Sequence, residues 1–146
     1  MHDASDRSTW LSADKATRPL FVGLDLGGTN MKAGIVDDAG RTIAYHSEAS
    51  HVDRGPDDVA RRLGGMVATL CESVGLASSD IAAAGLGTPG PQNLQTGVLH
   101  DTGNMPGFEG FPIRDRVADA CGLAVTFAND ATAAAYGEYW IGSGRA

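Results

Sequence analysis

The stretch Asp25-Leu26-Gly27-Gly28-Thr29-Asn30-Met31-Lys32 decides the fold of this chain. A nearly continuous apolar run at 20–26 leads into the two glycines, as expected for a strand that is covered on both faces. A second apolar run follows at 31–36, and Asp37-Asp38-Ala39-Gly40 forms a further turn. Alternating apolar and polar residues at 41–47 predict a third strand. The three strands predict an antiparallel meander.

The rest of the chain alternates between helical and strand patterns. The predicted elements are a helix at 56–74, a strand at 81–87, an irregular segment at 91–111, a short helix at 112–120, a strand at 123–128 and a helix at 129–141. This order predicts an α/β domain with a mixed sheet and helices on both faces. We expect a disordered leader at 1–18 and one domain at 19–146. Gly64-Gly65 either weakens the first helix or allows its close approach to the sheet.

Composition excludes several classes of protein. The 146 residues carry a formal net charge of -7 and scattered basic residues, which is unsuited to nucleic acid. No run approaches the ~20 apolar residues of a membrane span. The first 17 residues lack the apolar block of a secretion signal, so we predict a cytoplasmic protein. Cys71 and Cys121 are far apart in the sequence, and we expect them to be core residues rather than a disulfide or a metal site.

The opening hairpin carries the first candidate site. Gly27 and Gly28 permit positive φ and leave N–H groups uncovered, which suits anionic oxygens. Thr29 adds a hydroxyl and Lys32 a cation. A plain Gly-Gly hairpin is the simpler interpretation. Asp25 favours the phosphate site, because a carboxylate in an apolar strand needs a partner, and a hydrated Mg²⁺ in front of phosphates would supply one.

Two further signals lie later in the chain. Asn129 and Asp130 stand at a strand–helix junction, where either could merely cap the helix. The second side chain would remain for a ligand, and a carboxylate there can accept a proton from a hydroxyl. The segments 87–91 and 100–108 combine tight turns with short hydrogen-bonding side chains, which suits a sugar. We interpret His100 as a loop residue, since no partner ligands stand at a metal-binding spacing.

Together, these segments resemble the ROK family of bacterial sugar kinases and related repressors, and within it the glucokinases. The resemblance is carried, in order, by Asp25-Leu26-Gly27-Gly28-Thr29, Gly87-Thr88-Pro89-Gly90, Asn104-Met105-Pro106-Gly107 and Asn129-Asp130-Ala131-Thr132-Ala133-Ala134-Ala135-Tyr136-Gly137-Glu138. The resemblance implies a ribonuclease H-like, actin-like lobe. It also implies phosphorylation of a hexose with ATP and Mg²⁺, and glucose is the preferred candidate among the hexoses.

The resemblance also assigns roles to individual residues. Asp130 would be the catalytic base that takes the proton of the sugar 6-hydroxyl. The sugar would contact Gly90, Asn104, Asn129 and Asp130. The phosphates would face Gly27, Gly28, Thr29 and Lys32. Asp25 would hold Mg²⁺ through water.

The family pattern continues beyond these motifs with a second lobe, which carries the nucleotide pocket and a structural zinc. None of its motifs occurs up to Ala146, so we expect these residues alone to be an incomplete enzyme. By the same resemblance, we expect the full-length protein to be a homodimer. Three alternatives stay open: a sugar-sensing repressor of the same family, a sugar-independent ATPase of the actin type, and a non-catalytic remnant lobe. The sequence leaves open the identity of the hexose and the choice between ATP and polyphosphate.

Overall fold

The computed structural model of the chain describes residues 6–130, 132–133 and 140. Its strands and α-helices are β1 Leu20–Leu26, β2 Asn30–Val36, β3 Thr42–Ala49, α1 Pro56–Ser73, β4 Ile81–Thr88, β5 Gln92–Asn93, β6 Val98–Leu99, α2 Ile113–Cys121 and β7 Val125–Asn129. The predicted α/β class is confirmed, and the bounds of the predicted strands and of the first two helices differ from the observed ones by at most two residues.

Five of the strands form one mixed sheet in the order β3-β2-β1-β4-β7. β1 and β2 are antiparallel, as are β2 and β3, so the predicted meander is confirmed. β4 lies parallel to β1, and β7 lies parallel to β4. Three parallel strands therefore end at the same edge of the sheet.

One face of this sheet holds the core. Leu24 and Leu26 of β1 are buried, whereas the intervening Asp25 points to the opposite face because strand side chains alternate. Both described α-helices pack on the buried face, and the largest fully buried side chains are Phe108, Leu20, Leu26, Met31, Ile35, Ile43, Leu63, Leu86, Leu99, Met105, Ile113 and Val22. Most of the helix predicted at 129–141 lies outside the described residues.

Helix α1 begins at the predicted residue and ends one residue before the predicted end. Pro56 occupies its first turn with two aspartates behind it, where a fixed φ and negative charge are favourable. Gly64 faces α2, and a Cβ added there would lie 2.4 Å from the Cβ of Ala120. The sequence left open whether the two glycines weaken the helix or allow its close approach to the sheet. Gly64 instead allows a close approach to α2. Gly65 has no neighbouring atom within 4 Å of such a Cβ.

The structure departs from the disordered leader expected at 1–18. The Leu11 N–H donates to the Thr42 carbonyl oxygen at 2.7 Å, and the Thr17 N–H donates to the Asp37 carboxylate at 3.0 Å. Leu11, Ala13 and Ala16 pack against the core. These contacts join residues far apart in the chain, which a local pattern of hydrophobicity does not reveal. Residues 1–5 lie outside the described part.

The segment expected to be irregular at 91–111 contains the small hairpin of β5 and β6. The Asn93 side chain accepts hydrogen bonds from the N–H groups of Gln95 and Thr96, which closes the turn. Strands this short leave no periodic pattern in the sequence, so the hairpin was missed.

The two cysteines are free thiols: Cys71 is buried in α1 and Cys121 is half-buried at the end of α2. Burial raises the pKa of both thiols. Among the described residues, no helix combines the length and the apolar character that crossing a membrane requires.

Candidate functional site

The carboxyl ends of β1, β4 and β7 meet at one edge of the sheet. Asp25 of β1 pairs in register with Gly87 of β4, and Gly87 pairs with Ala128 of β7. Asn129 ends β7, and Asp130 follows it with helical geometry. Open α/β sheets bind ligands beyond the carboxyl ends of their strands, so this edge is the candidate site.

Asp25 and Asp130 line the same cavity of about 350 Å³ on the face opposite the core. Burial raises the pKa of Asp25, the nearby Lys32 lowers it, and the negative charge of Asp130 raises it again. The two carboxylates are thus close enough to interact electrostatically. A carboxyl group with a raised pKa is destabilised in its charged form, and a bound cation would relieve this cost.

The Asp25 carboxylate fits one kind of metal ion. The described residues contain no cluster of three or more His, Cys, Asp or Glu side chains that could enclose a metal. Mg²⁺ commonly keeps several waters and binds through one or two carboxylates together with substrate phosphates. Asp25 is therefore suited to a hydrated ion that a phosphorylated ligand helps to hold.

The turn between β1 and β2 presents its backbone at this edge. The Gly27 N–H donates to the Asn30 carbonyl oxygen at 2.9 Å. Within the described part of the chain, the N–H groups of Gly28 and Thr29 have no protein acceptor. Lys32 and Thr29 are exposed beside the turn, so a cation and a hydroxyl accompany the two N–H groups.

The reason for the two glycines differs from the one expected. Neither Gly27 nor Gly28 adopts positive φ. A Cβ added to Gly28 would instead lie 2.5 Å from the Nδ2 atom of Asn104. A residue larger than glycine would have to displace the flexible side chain of Asn104, which occupies this position.

Asn104 brings the predicted sugar segment to the predicted phosphate turn. It lines a second cavity, of about 260 Å³, together with Asp101 and Gly90. Gly90 has φ +81, and a Cβ added there would lie 2.6 Å from the Asp101 carbonyl oxygen. The Asn129 side-chain amide donates to the Gly90 carbonyl oxygen at 3.3 Å, which connects this loop to the end of β7.

The structure therefore brings the predicted site residues to neighbouring positions on one edge of the lobe. His100 is exposed and lies outside both cavities. Residues 131 and 134–138 of the last motif are not among the described residues. Sequence reasoning missed Ser50, which is fully buried and contacts the β1–β2 turn. A single serine after a strand gives no signal of such a contact.

The chain is similar to known proteins in sequence. The model of the ROK family matches residues 21–146. The chain is 30% identical over 125 residues to a glucokinase of Thermotoga maritima. The matched region covers 86% of this chain and 38% of that protein.

Two solved structures are similar as well. The ROK hexokinase of Thermus thermophilus matches with a TM-score of 0.73 and 36% identity, over 83% of this chain and 38% of that one. A ROK family glucokinase from Streptomyces griseus, in complex with glucose and AMPPNP, matches with a TM-score of 0.63 and 34% identity. This match covers 86% of this chain and 38% of that one. The actin-like lobe is thereby confirmed, and the chain spans about 38% of the length of these relatives.

Proposed function

Because the chain belongs to the ROK family, we propose that it is the sugar-binding lobe of a hexose kinase that transfers a phosphoryl group from ATP to the 6-hydroxyl of glucose. One observation carries the proposal: Asp25 and Asp130, from two different strand ends, line one cavity. Phosphoryl transfer needs a base near the hydroxyl and a cation near the phosphates, and the two carboxylates supply one position for each.

Asp130 is assigned the role of catalytic base. It lies directly after β7, and its side chain lines the cavity that also contains Asp25. A carboxylate in this position accepts the proton of the attacking hydroxyl. Asn104 and the backbone near Gly90 would orient the sugar, since both line the second cavity. Asn129, which precedes Asp130, would join them because its side-chain amide donates to the Gly90 carbonyl oxygen.

The β1–β2 turn is assigned to the phosphates. The N–H groups of Gly28 and Thr29 point to no acceptor in the described chain, and Lys32 adds a positive charge. Asp25 would hold a hydrated Mg²⁺, which neutralises phosphate charge when bound. Little covalent chemistry is required of the protein, so placing these groups accounts for most of the catalytic effect.

Support for the choice of substrates comes from the relatives. The Streptomyces griseus glucokinase binds glucose and AMPPNP, and the Thermotoga maritima relative is a glucokinase. We therefore propose glucose and ATP for this protein. As an ATP-dependent kinase it is expected to work in the cytoplasm, and as a homodimer in its full-length form.

Substitution of Asp130 tests the proposal in the full-length gene product. Asp130→Asn keeps the shape and the hydrogen-bonding capacity of the side chain but removes the base. We expect kcat for glucose phosphorylation to fall by about 10²–10⁴-fold, the usual contribution of a positioned base. The dissociation constant for glucose, measured by calorimetry, should change by less than about threefold, because the amide still contacts the hydroxyl.

Asp53→Asn is the matched control, because Asp53 is an exposed aspartate in the 3-10 turn before α1 and lies outside both cavities. This variant should behave as the unmodified protein. Turnover by Asp130→Asn within a few fold of the control would remove Asp130 from the reaction. Binding of glucose without any phosphoryl transfer by the unmodified protein would favour a sugar-sensing role instead.

A further inference from the structure

A buried serine contacts the phosphate turn from behind. Ser50 follows β3 directly and is 0% exposed. Its hydroxyl donates to the Gly27 carbonyl oxygen at 2.6 Å. Its N–H donates to the Thr29 carbonyl oxygen at 2.9 Å. One residue, more than twenty positions along the chain, thus binds two carbonyl groups of the β1–β2 turn.

These two hydrogen bonds fix the direction in which the turn presents its N–H groups. The Gly27 carbonyl and the Gly28 N–H belong to the same peptide unit, and in a planar trans peptide they point in opposite directions. Holding the Gly27 oxygen against Ser50 therefore turns the Gly28 N–H away from the protein interior. Since glycine restricts the backbone least of all residues, a Gly-Gly turn depends on such outside contacts for a single conformation.

Arg62 of α1 holds the backbone at Ser50 in place. Its guanidinium donates to the carbonyl oxygens of Ala49, at 3.1 Å, and of Ser50. Asp58 and Glu48 bind the same guanidinium at 2.8 and 3.3 Å, and the side chain of Arg62 is only 17% exposed. Hydrogen bonds that involve charged groups are stronger than neutral ones, so helix α1 anchors the residue that shapes the turn.

We infer that Ser50 is a positioning residue for phosphoryl-group binding, which orients the Gly28 N–H toward the phosphates, with Arg62 as its support. This inference rests on the proposed function of the β1–β2 turn. Ser50 itself contacts neither sugar nor phosphate, because its hydroxyl is buried and already donates to Gly27.

Steady-state kinetics of the full-length gene product test the inference. Ser50→Ala removes the hydroxyl, and we expect the KM for MgATP to rise about fivefold to tenfold, the effect of one lost hydrogen bond. The KM for glucose should stay within about twofold. Ser50→Thr restores the hydroxyl and should return the KM for MgATP to within about twofold of the unmodified protein.

Ser73→Ala is the matched control. The Ser73 hydroxyl also donates to a backbone carbonyl, that of Leu70 at 2.7 Å, but at the far end of α1. This variant should leave both KM values unchanged. An equal rise of the two KM values in Ser50→Ala, or no rise in either, would overturn the inference.

Two further measurements keep the inference separate from folding and from the proposed function. Should Ser50→Ala fail to fold, Arg62→Gln provides the test. We expect this variant to raise the KM for MgATP about threefold, and an unchanged KM for MgATP overturns the inference. Should the unmodified protein transfer no phosphoryl group to any hexose, the proposed function fails. In that case the binding of magnesium pyrophosphate is measured by calorimetry. Weaker binding by Ser50→Ala than by the unmodified protein supports the positioning role. Equal binding by the two proteins, or no binding by the unmodified protein, overturns it.

Discussion

At the scale of single residues, the site depends on a contact between two segments that were expected to bind different ligands. Gly28 belongs to the phosphate turn, and Asn104 belongs to the sugar segment. The Asn104 amide fills the space beside the Cα of Gly28. A substitution in the phosphate turn should therefore also change the binding of the sugar.

Gly28→Ala tests this coupling. The added methyl would lie 2.5 Å from Asn104 Nδ2, so the flexible amide must move. Because Asn104 is exposed, the displacement should cost little stability, with a melting temperature within a few degrees of the unmodified protein. We expect the KM for glucose to rise by about threefold to tenfold in steady-state assays, the effect of losing one hydrogen bond to the sugar.

A double-mutant cycle identifies the route of the effect. In an Asn104→Ala background the displaced amide is absent, so adding Gly28→Ala should change the KM for glucose no further. Fully additive effects of the two substitutions would show that Gly28 acts without Asn104. An effect of Gly28→Ala on the KM for MgATP alone would contradict the coupling.

At the scale of secondary structure, most of the fold could be predicted, because periodicity is a local property. The apolar run at 20–26 predicted a strand that carries Asp25 near its end, and β1 has these bounds. The position of Asp130 after a strand likewise predicted its place at the edge of the sheet. Ser50 and the contact between Gly28 and Asn104 could not be predicted, since they depend on tertiary contacts between residues far apart in the chain.

Helix α1 offers a prediction at the same scale, because adjacent glycines occupy opposite environments. A methyl at Gly64 would lie 2.4 Å from the Ala120 Cβ and 3.0 Å from its backbone carbonyl carbon, so the backbone of α2 would have to shift. Gly64→Ala should lower the free energy of unfolding by about 1–3 kcal/mol through overpacking. Gly65→Ala should raise it by about 0.5–1 kcal/mol, because alanine favours a helix and the site is open.

Urea denaturation of the two variants provides the comparison. Both substitutions add the same methyl group to the same helix turn, so each is the control for the other. Equal and favourable effects would mean that α1 and α2 do not approach as closely as the structure indicates.

At the scale of the whole molecule, one buried carboxylate connects the N-terminal segment to the sheet. Asp37 lies in the turn between β2 and β3 and is 0% exposed. It accepts hydrogen bonds from the Thr17 N–H and from the backbone and guanidinium of Arg41. Burial alone would raise its pKa, but the hydrogen bonds from the Arg41 side chain and from the Thr17 and Arg41 backbone together lower it to about 2.

This lowered pKa predicts how the stability of the lobe depends on pH. Asp37 has an ordinary pKa of 3.8 when unfolded and about 2 when folded, so its charged form stabilises the folded state above pH 3.8. That stabilisation, about 2 kcal/mol at about 1.4 kcal/mol per pKa unit, is lost as the pH falls from about 4 to about 2. Asp37→Asn should lower the free energy of unfolding at neutral pH and flatten its dependence on pH below 4, as measured by urea denaturation across that range. The exposed neighbour Asp38 provides the control, because Asp38→Asn should still lose stability as the pH falls. An unchanged pH dependence of the free energy of unfolding in Asp37→Asn would show that other carboxylates cause the loss of stability.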